Sequence, residues 1–401
     1  MRFHQLERFV MAHIVIIGAG VIGTTIGRAL AFKKAGPITI LEKEPSAGQH
    51  QSGRNSGVIH SGINQKPGSM KARMCVEGNR LLREYCRKKK VPMEECGTLV
   101  SARTEKECCV LEKLLDMGMQ CEVPGLKIIT QKELKEREPA SLGIAALFSP
   151  QGATVDAPAL MEALTQEAKG LGIRYRFGTK VTGIDGKTVS TNQGKIEADH
   201  VINCAGLHSD TIAHMMDVGK QYRIIPFRGE YMEVRNCGVR SMIYQAPDLR
   251  FPFLSIHLTR ETDGRVLAGP SAVPAFGREA YNKEWVWREM PGIFLSRQFI
   301  RLFMNPEFVG IAFDNAMVSL SKSAFLRQIQ SLVSGVKSDD IIPARAGIRA
   351  QMVDSSGKMV NDLVAEYFKD STHILNAVSP GLTSSLAFAE HVADRILNPQ
   401  S

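Results

Sequence analysis

Residues 13–23, His-Ile-Val-Ile-Ile-Gly-Ala-Gly-Val-Ile-Gly, constrain the fold of this chain more than any other stretch. Residues 14–17 form an unbroken apolar run, as in a parallel strand covered on both faces. Gly18, Gly20 and Gly23 follow at G-x-G-x-x-G spacing. The first allows a tight turn, the second lets a pyrophosphate approach the backbone, and the third lets the next helix pack on the strand. That helix, expected over 21–34, points its N-terminal amides and dipole at the pyrophosphate. A second strand over 38–41 ends at Glu42, at the distance where a ribose diol is held. A carboxylate there repels a 2′-phosphate, so the pattern predicts FAD or NAD over NADP. A glycine triplet alone is a weak signal. With strand, helix, second strand and acid in order it reads as a dinucleotide-binding βαβ unit.

The chain has 401 residues, enough for two intimately joined domains or one large one. It carries 50 Lys+Arg against 41 Asp+Glu, a formal charge of +9. Such a moderate excess suits an anionic substrate, an anionic membrane surface or neither. The run Arg87-Lys88-Lys89-Lys90 reads as the solvated end of a helix, where cations also complement the dipole. No basic stripe interleaved with aromatics occurs, which argues against nucleic acid as a partner. The eight cysteines include no C-x-x-C pair and none at zinc spacing from a histidine. They read as reduced thiols of a cytoplasmic protein without a metal. Residues 1–10 are too short and too charged for a signal peptide, and Met11 stands just before the first strand. They read as an upstream start, a tag or a frayed extension. No apolar run reaches the length of a membrane span. Contact with the inner face of a membrane stays open, as does the oligomeric state.

After Glu42 a loop over 43–67 is rich in glycine and hydrogen-bonding side chains, which points to function. Helical spacing is expected over 69–90, 105–117 and 158–170, the last with a proline in its first turn and a glycine at its end. Residues 125–157 look short and irregular, a crossing between domains. Strands are expected over 173–177, 181–184, 187–190 and 196–198. The buried strand over 201–203 then runs into Cys204-Ala205-Gly206 and returns the chain to the nucleotide sheet. Residues 222–269 alternate apolar and polar around an Asp263-Gly264 hairpin signal, predicting an antiparallel sheet. Residues 283–316 look helical or irregular and hold Trp285 and Trp287, read as packing aromatics. A strand over 373–375, a small-residue turn over 378–382 and a helix over 383–396 close the chain.

Six further pieces stand in order: His50-Gln-Ser-Gly-Arg-Asn-Ser-Gly-Val-Ile-His60-Ser-Gly-Ile, Cys96-Gly-Thr-Leu, Phe227-Arg-Gly-Glu-Tyr231, Arg250-Phe-Pro-Phe-Leu-Ser-Ile-His257, Ala346-Gly-Ile-Arg-Ala-Gln351 and Asn376-Ala-Val-Ser-Pro-Gly-Leu-Thr-Ser-Ser385. Together they resemble the L-2-hydroxyglutarate dehydrogenase/oxidase family of the D-amino-acid-oxidase-like flavoprotein superfamily, over nearly the whole chain. The glycine motif and the last piece are shared across that superfamily and imply FAD. The runs around His60, Arg250–His257 and Ala346–Gln351 are more particular to the hydroxyglutarate enzymes. Two departures are visible: Asn64-Gln65 stand where aromatics usually follow, and Gly381-Leu382 replace smaller alanines.

The resemblance implies an α/β fold with an α+β second part: a Rossmann-like FAD-binding domain (12–90, 150–220 and 340–398) interleaved with an antiparallel-sheet substrate domain (91–149 and 221–339). The FAD pyrophosphate is expected at Gly18, Gly20 and Gly23 and its ribose at Glu42. Ser52, Arg54, Asn55 and Ser56 are expected beside the pyrophosphate, where Arg54 neutralises charge. Ala205 and Gly206 allow close approach of the cofactor. Gly381, Leu382, Thr383 and Ser384 open the last helix, whose amides suit the flavin N1–C2=O edge as it becomes negative. The flavin ring is then expected between the domains.

Oxidising an alcohol beside a carboxylate needs a base for the hydroxyl proton, a hydride path to flavin N5, and cations for the carboxylates. His60 and His257 are the candidate bases, since imidazole titrates near neutrality; a structural role is the alternative for each. Arg228, Arg345 and Arg349 are the candidate carboxylate clamps, with domain-interface ion pairs as the alternative. The expected reaction is oxidation of L-2-hydroxyglutarate to 2-oxoglutarate, with oxygen or a quinone as acceptor. An amine or hydroxy-compound oxidase of the glycine or glycerol-3-phosphate type, or a non-catalytic flavin-binding protein, are the competing readings.

Overall fold

The computed structural model describes residues 13–247 and 256–399. The sequence run 250–255 and the first twelve residues lie outside that range.

The expected βαβ unit forms the centre of a six-stranded sheet. Ile14–Ile17 lies between Ile38–Leu41 and His200–Asn203, parallel to both, with Ile16 opposite Ile40 and Ile202. Ser371–Asn376 and Arg174–Arg176 extend the sheet in parallel, and Val364–Tyr367 adds an antiparallel edge. All four residues of each central strand are buried, which is why their sequences are apolar without alternation. Ile14 and Ile16 face one core, with Ile26 and Leu30 of the helix Val21–Phe32 and Phe388 of the helix Gly381–Leu397. Val15 and Ile17 face the other, made with Val181, Val189 and Ile212. Phe388 is fully buried, so truncating it to alanine costs about 3–5 kcal/mol.

The helix Met70–Lys89 crosses the start of the last helix at Gly78, where a Cβ would lie 2.3 Å from the Thr383 carbonyl oxygen. Ser69 caps it by accepting from the Ala72 amide, and the run Arg87–Lys89 ends it as the charge pattern predicted.

A second, nine-stranded sheet covers the far side of the molecule. Arg223–Val234 pairs antiparallel with Val266–Gly269, Val273–Pro274 and Ile341–Val353. The sheet continues through His257–Arg260, Met242–Gln245, Thr98–Ala102, Ala145–Ser149 and Lys127–Thr130. The Asp263-Gly264 signal marks the hairpin between His257–Arg260 and Val266–Gly269. Ile341–Val353 follows the expected boundary at 340, yet it pairs along the length of Arg223–Val234. That strand belongs by hydrogen bonding to the large sheet.

Residues 125–157 are more regular than their sequence suggested. They hold strands Lys127–Thr130, Ala145–Ser149 and Ala153–Val155, and the helix Gln131–Arg137 with a Thr130/Glu133 capping box. Lys127–Thr130 buries only Ile129, so no alternation betrayed it. Residues 283–316 begin irregular over 283–289 and then form the helices Met290–Phe294, Arg297–Phe303 and the start of Pro306–Leu320. The two tryptophans do not pack into a core: Trp285 is 53% exposed and Trp287 70%.

Candidate FAD and substrate site

One cavity of about 1900 Å³ runs between the two sheets. At one end it is lined by Gly18, Gly20, Glu42 and Val181, in the middle by Ser52, Arg54, Ala205 and Gly206, and at the other end by His60, Arg349 and Gly381.

The glycine-loop part of the cavity is built by backbone proximity. Gly18 has φ +106°, and a Cβ there would come within 2.5 Å of the Cys204 carbonyl oxygen. A Cβ on Gly23 would lie 2.0 Å from the Gly18 carbonyl oxygen. Both positions therefore admit only glycine. Ser52 Oγ accepts from the Val21 amide at 2.9 Å, tying the 43–67 loop to the first turn of the helix. Asn55 braces that loop, donating to the carbonyls of Gln51 and Ser52 and accepting from the Gly57 amide.

Glu42 is fixed where the loop and the second strand meet. Its Oε2 accepts from the Ala19 amide at 2.8 Å and its Oε1 from the Glu44 amide at 2.9 Å. Each oxygen keeps a lone pair for a further donor such as a ribose hydroxyl. Nearby, Glu44, His50 and Glu279 bring three potential metal-ligand atoms together. The Lys43 ammonium already occupies the centre of that cluster, 2.7 Å from Glu279 Oε1 and 2.8 Å from His50 Nε2. Arg54 stacks on Tyr281, 4.3 Å from the ring centre, and its Nε donates to the Gln49 carbonyl. The cavity's length, the acid at one end and two helix N-termini facing it suit an extended dinucleotide.

In another part of the cavity His60 follows the short strand Val58–Ile59. Its backbone N–H donates to Thr383 Oγ1, and its Nε2 lies 3.4 Å from Ser379 Oγ. Its carbonyl accepts from Asn79 Nδ2 at 3.0 Å. Burial, with Lys71 and Arg349 near by, pushes the imidazole down to about 4. It is thus neutral at physiological pH and able to accept a proton. Arg349 stands opposite Phe227 on the paired long strands and lines the same end. Burial lowers its pKa from the usual guanidinium value. His257 also lines the cavity, stacked on Tyr244 with ring centres 4.3 Å apart.

Two of the three candidate clamps are engaged elsewhere. Arg228 is buried, with its guanidinium paired to Glu230 and donating to the Tyr281 carbonyl at 3.0 Å. Arg345 reaches Glu261 at 2.8 Å and the Asn55 carbonyl at 2.9 Å. Neither lines the main cavity. Arg345 thus joins the 43–67 loop to the large sheet, and Arg228 ties that sheet to the segment around Tyr281.

Lys71 is the cation that motif reading missed. It lies in the first turn of the helix Met70–Lys89 and lines the same cavity. Burial beside Arg349 lowers its pKa to about 8. Among the described residues no carboxylate forms an ion pair with its ammonium group. One signal was available: a cation in the first turn of a helix opposes the macrodipole, and such a cost invites a functional reason. Among the described residues the buried Tyr244 hydroxyl has no hydrogen-bond partner.

Residues 13–395 match the family of FAD-dependent oxidoreductases designated DAO. A curated L-2-hydroxyglutarate dehydrogenase of Indibacter alkaliphilus is 36% identical over 393 residues, spanning 95% of this chain and 98% of that protein. The mitochondrial L-2-hydroxyglutarate dehydrogenase of Homo sapiens is 34% identical over 415 residues, 96% and 88% of the two chains. Among solved structures, the FAD-bound L-alpha-glycerophosphate oxidase of Mycoplasma pneumoniae matches with a TM-score of 0.77 at 22% identity, covering 97% and 95%. Glycine oxidase of Geobacillus kaustophilus matches at 0.70 and 17%, covering 96% and 95%. These two likenesses concern the fold alone. With the family matched almost end to end and the glycine loop, acid and cavity in place, the chain belongs to the DAO family of FAD-dependent oxidoreductases, an enzyme whose cofactor is FAD.

Proposed function

We propose that this chain oxidises L-2-hydroxyglutarate to 2-oxoglutarate. The observation that carries the reading is the gathering of His60, Lys71 and Arg349 in the FAD cavity, where a neutral imidazole has two cations near by. Relatives named for that substrate, at about a third identity over nearly the whole chain, support it.

Bound FAD supplies a two-electron acceptor for hydride at its N5. Gly18, Gly20 and Gly23 would receive its pyrophosphate, Glu42 its ribose, and the amides opening the last helix its flavin ring. Arg349 and Lys71 hold the two substrate carboxylates, the guanidinium through paired hydrogen bonds and the ammonium as a point charge. His60 accepts the hydroxyl proton as the C2 hydrogen leaves with its electron pair, so the alcohol becomes the ketone. His257 and Tyr244 form the facing wall and orient the substrate. Arg228 and Arg345 hold the scaffold. The electrons leave to oxygen or a quinone, and eight free cysteines support a cytoplasmic setting.

Anaerobic mixing tests the proposal. L-2-hydroxyglutarate is expected to bleach the flavin within the turnover time and release 2-oxoglutarate. Bleaching by glycine or glycerol phosphate instead assigns the chain to a neighbouring reaction, and no bleaching by any of the three makes it a non-catalytic flavoprotein.

A further inference from the structure

We propose that Asp362 is a positioning residue, which holds Lys71 at the cavity wall as a free cation for a substrate carboxylate. The inference deepens the role proposed for Lys71 and rests on it. The helix Met70–Lys89 starts under an electrostatic conflict. Lys71 stands in its first turn, where the dipole repels a cation, and no acidic residue stands there to offset it. The acid comes from 291 positions further along the chain. Asp362 Oδ1 accepts the Lys71 amide at 2.8 Å, and Oδ2 accepts the Met70 amide at 3.3 Å. Ser69 Oγ accepts the Ala72 amide at 3.1 Å. The first three amides of the helix are thus paired, two of them by one carboxylate.

Asp362 is itself held in place. Its carbonyl accepts from Asn376 Nδ2 at 2.7 Å, and the same group donates to the Val360 carbonyl at 3.0 Å. The Val360 amide donates to the Met352 carbonyl at 2.9 Å, on the long strand that carries Arg349. Asn376 ends the strand Ser371–Asn376, just ahead of the turn into the last helix. Residues 360–362, the strand of Arg349 and the approach to the last helix therefore form one hydrogen-bonded unit. Asp362 lines the same cavity as Lys71.

The bonds that Asp362 makes decide what its charge does. Oδ1 also accepts the Leu363 amide at 2.8 Å, so three backbone amides occupy the carboxylate. It acts on the Lys71 ammonium through space and not through a direct bond. The groups around that ammonium are Arg349 from the large sheet, His60 beyond the strand Val58–Ile59, Cys75 one turn along the same helix, and Asp362. Burial and Arg349 push the ammonium down to about 8, and Cys75 and Asp362 oppose them. Burial also pushes the Cys75 thiol up to about 12, so it is uncharged near neutrality. Asp362 is left as the negative charge among these neighbours. A direct salt bridge would tie the ammonium to its own protein. A carboxylate occupied by amides keeps the cation charged and leaves its N–H donors for an anionic ligand.

Trace labelling of the FAD-loaded protein with acetic anhydride across a range of pH reads the titration of Lys71 by peptide mass spectrometry, without substrate. The parent's midpoint is expected at about 8. Asp362→Asn and Asp362→Ser each keep one acceptor for the amides and lose the charge, and are expected to lower that midpoint by about one pH unit. Asp362→Glu restores the charge and is expected to bring the midpoint back toward the parent's. Ser69→Ala removes the neighbouring cap, so it lowers the melting temperature and leaves the midpoint in place, as a merely structural Asp362 would. With L-2-hydroxyglutarate the alkaline limb of kcat/KM is expected to follow the midpoint. At pH 8 the neutral variants then lose about fivefold in kcat/KM, mostly through KM, because the charged fraction of Lys71 falls from about a half to about a tenth. A midpoint unmoved in both neutral variants, one that Asp362→Glu does not restore, or a limb that stays while the midpoint moves overturns the proposal. A parent whose flavin the substrate does not reduce overturns the functional reading instead, and the labelling still decides the role of Asp362.

Discussion

Thr383 Oγ1 accepts the backbone N–H of His60 at 3.0 Å and donates to the Val58 carbonyl at 3.3 Å. One hydroxyl in the first turn of the last helix thus fixes the proposed base relative to the turn proposed to face the flavin. The pairing joins residues 323 positions apart, so the base and the cofactor helix are placed together.

If His60 takes the substrate proton, His60→Ala keeps FAD and stability while flavin reduction slows about 10²–10⁴-fold, the usual worth of general base catalysis. Thr383→Val separates position from chemistry. It leaves a buried N–H unpaired, costs about 1–3 kcal/mol in a urea melt, and slows reduction less than His60→Ala does. Stopped-flow reduction of both variants decides. Loss of flavin from His60→Ala without slower chemistry in the retained holoenzyme would mark a structural histidine.

The two shifted groups set the pH window of kcat/KM. His60 must be neutral to accept a proton, and its folded value of about 4 puts the acid limb well below that of an ordinary imidazole. Lys71 must be charged to hold a carboxylate, so kcat/KM falls as pH rises through about 8. Lys71→Met is expected to remove the alkaline limb and raise KM about 10–100-fold, the loss of one charge-assisted hydrogen bond, with a smaller change in kcat. It also removes a positive neighbour of His60, so the acid limb moves toward neutrality. An unchanged alkaline limb in Lys71→Met would exclude the lysine from substrate binding.

These two residues show what was legible in the sequence. The nucleotide unit could be read locally because its period, its glycines and Glu42 lie within thirty residues. His60 stood out through its neighbours in a distinctive run. Lys71 belongs to no such run, and only folding brings its helix beside Arg349. Arg228 and Arg345 looked equivalent to Arg349 in sequence. What separates them is that Glu230, two residues along the same strand, engages Arg228, and Glu261, 84 residues away, is brought by folding to Arg345. The tryptophans were read as packing because sequence reports apolarity and not the direction in which a helix face points.

Glu42 makes a finer test of FAD retention than its motif suggests, because both carboxylate oxygens already accept backbone amides. Gln can reproduce only one of these contacts, and its NH₂ must face the other donor. Glu42→Gln is expected to weaken FAD retention by at least tenfold, for a charge-assisted bond of about 1.5–3 kcal/mol, and to lower the apoprotein's stability as well. Flavin fluorescence in the filtrate after ultrafiltration measures the first effect. Undiminished retention would remove Glu42 from the ribose site.

Asp210 and Arg278 join the two sheets beside the same cavity, and their pairing predicts the steepest loss of stability. Arg278 Nη1 and Nη2 donate to the two carboxylate oxygens at 2.8 and 2.9 Å, and the Ile224 amide donates to Oδ2 at 3.0 Å. Both side chains are almost fully buried. Burial pulls the Asp210 pKa up, but the Arg278 charge and hydrogen bonds outweigh it and hold the group below the usual carboxylate range. A depressed carboxylate stabilises the fold above its unfolded pKa, so this contribution is lost as pH falls through the ordinary carboxylate range. Arg278→Met leaves the Asp210 charge buried and unpaired, and Asp210→Asn does the same to Arg278; each is expected to cost about 3–5 kcal/mol. Replacing both removes the stranded charge, so the double variant is expected to lose clearly less than the sum. Urea melts of the four proteins, repeated at pH 7 and pH 4, measure both effects. Additive losses, or a wild-type stability indifferent to acid relative to Asp210→Asn, would show that the pair does not couple the two sheets.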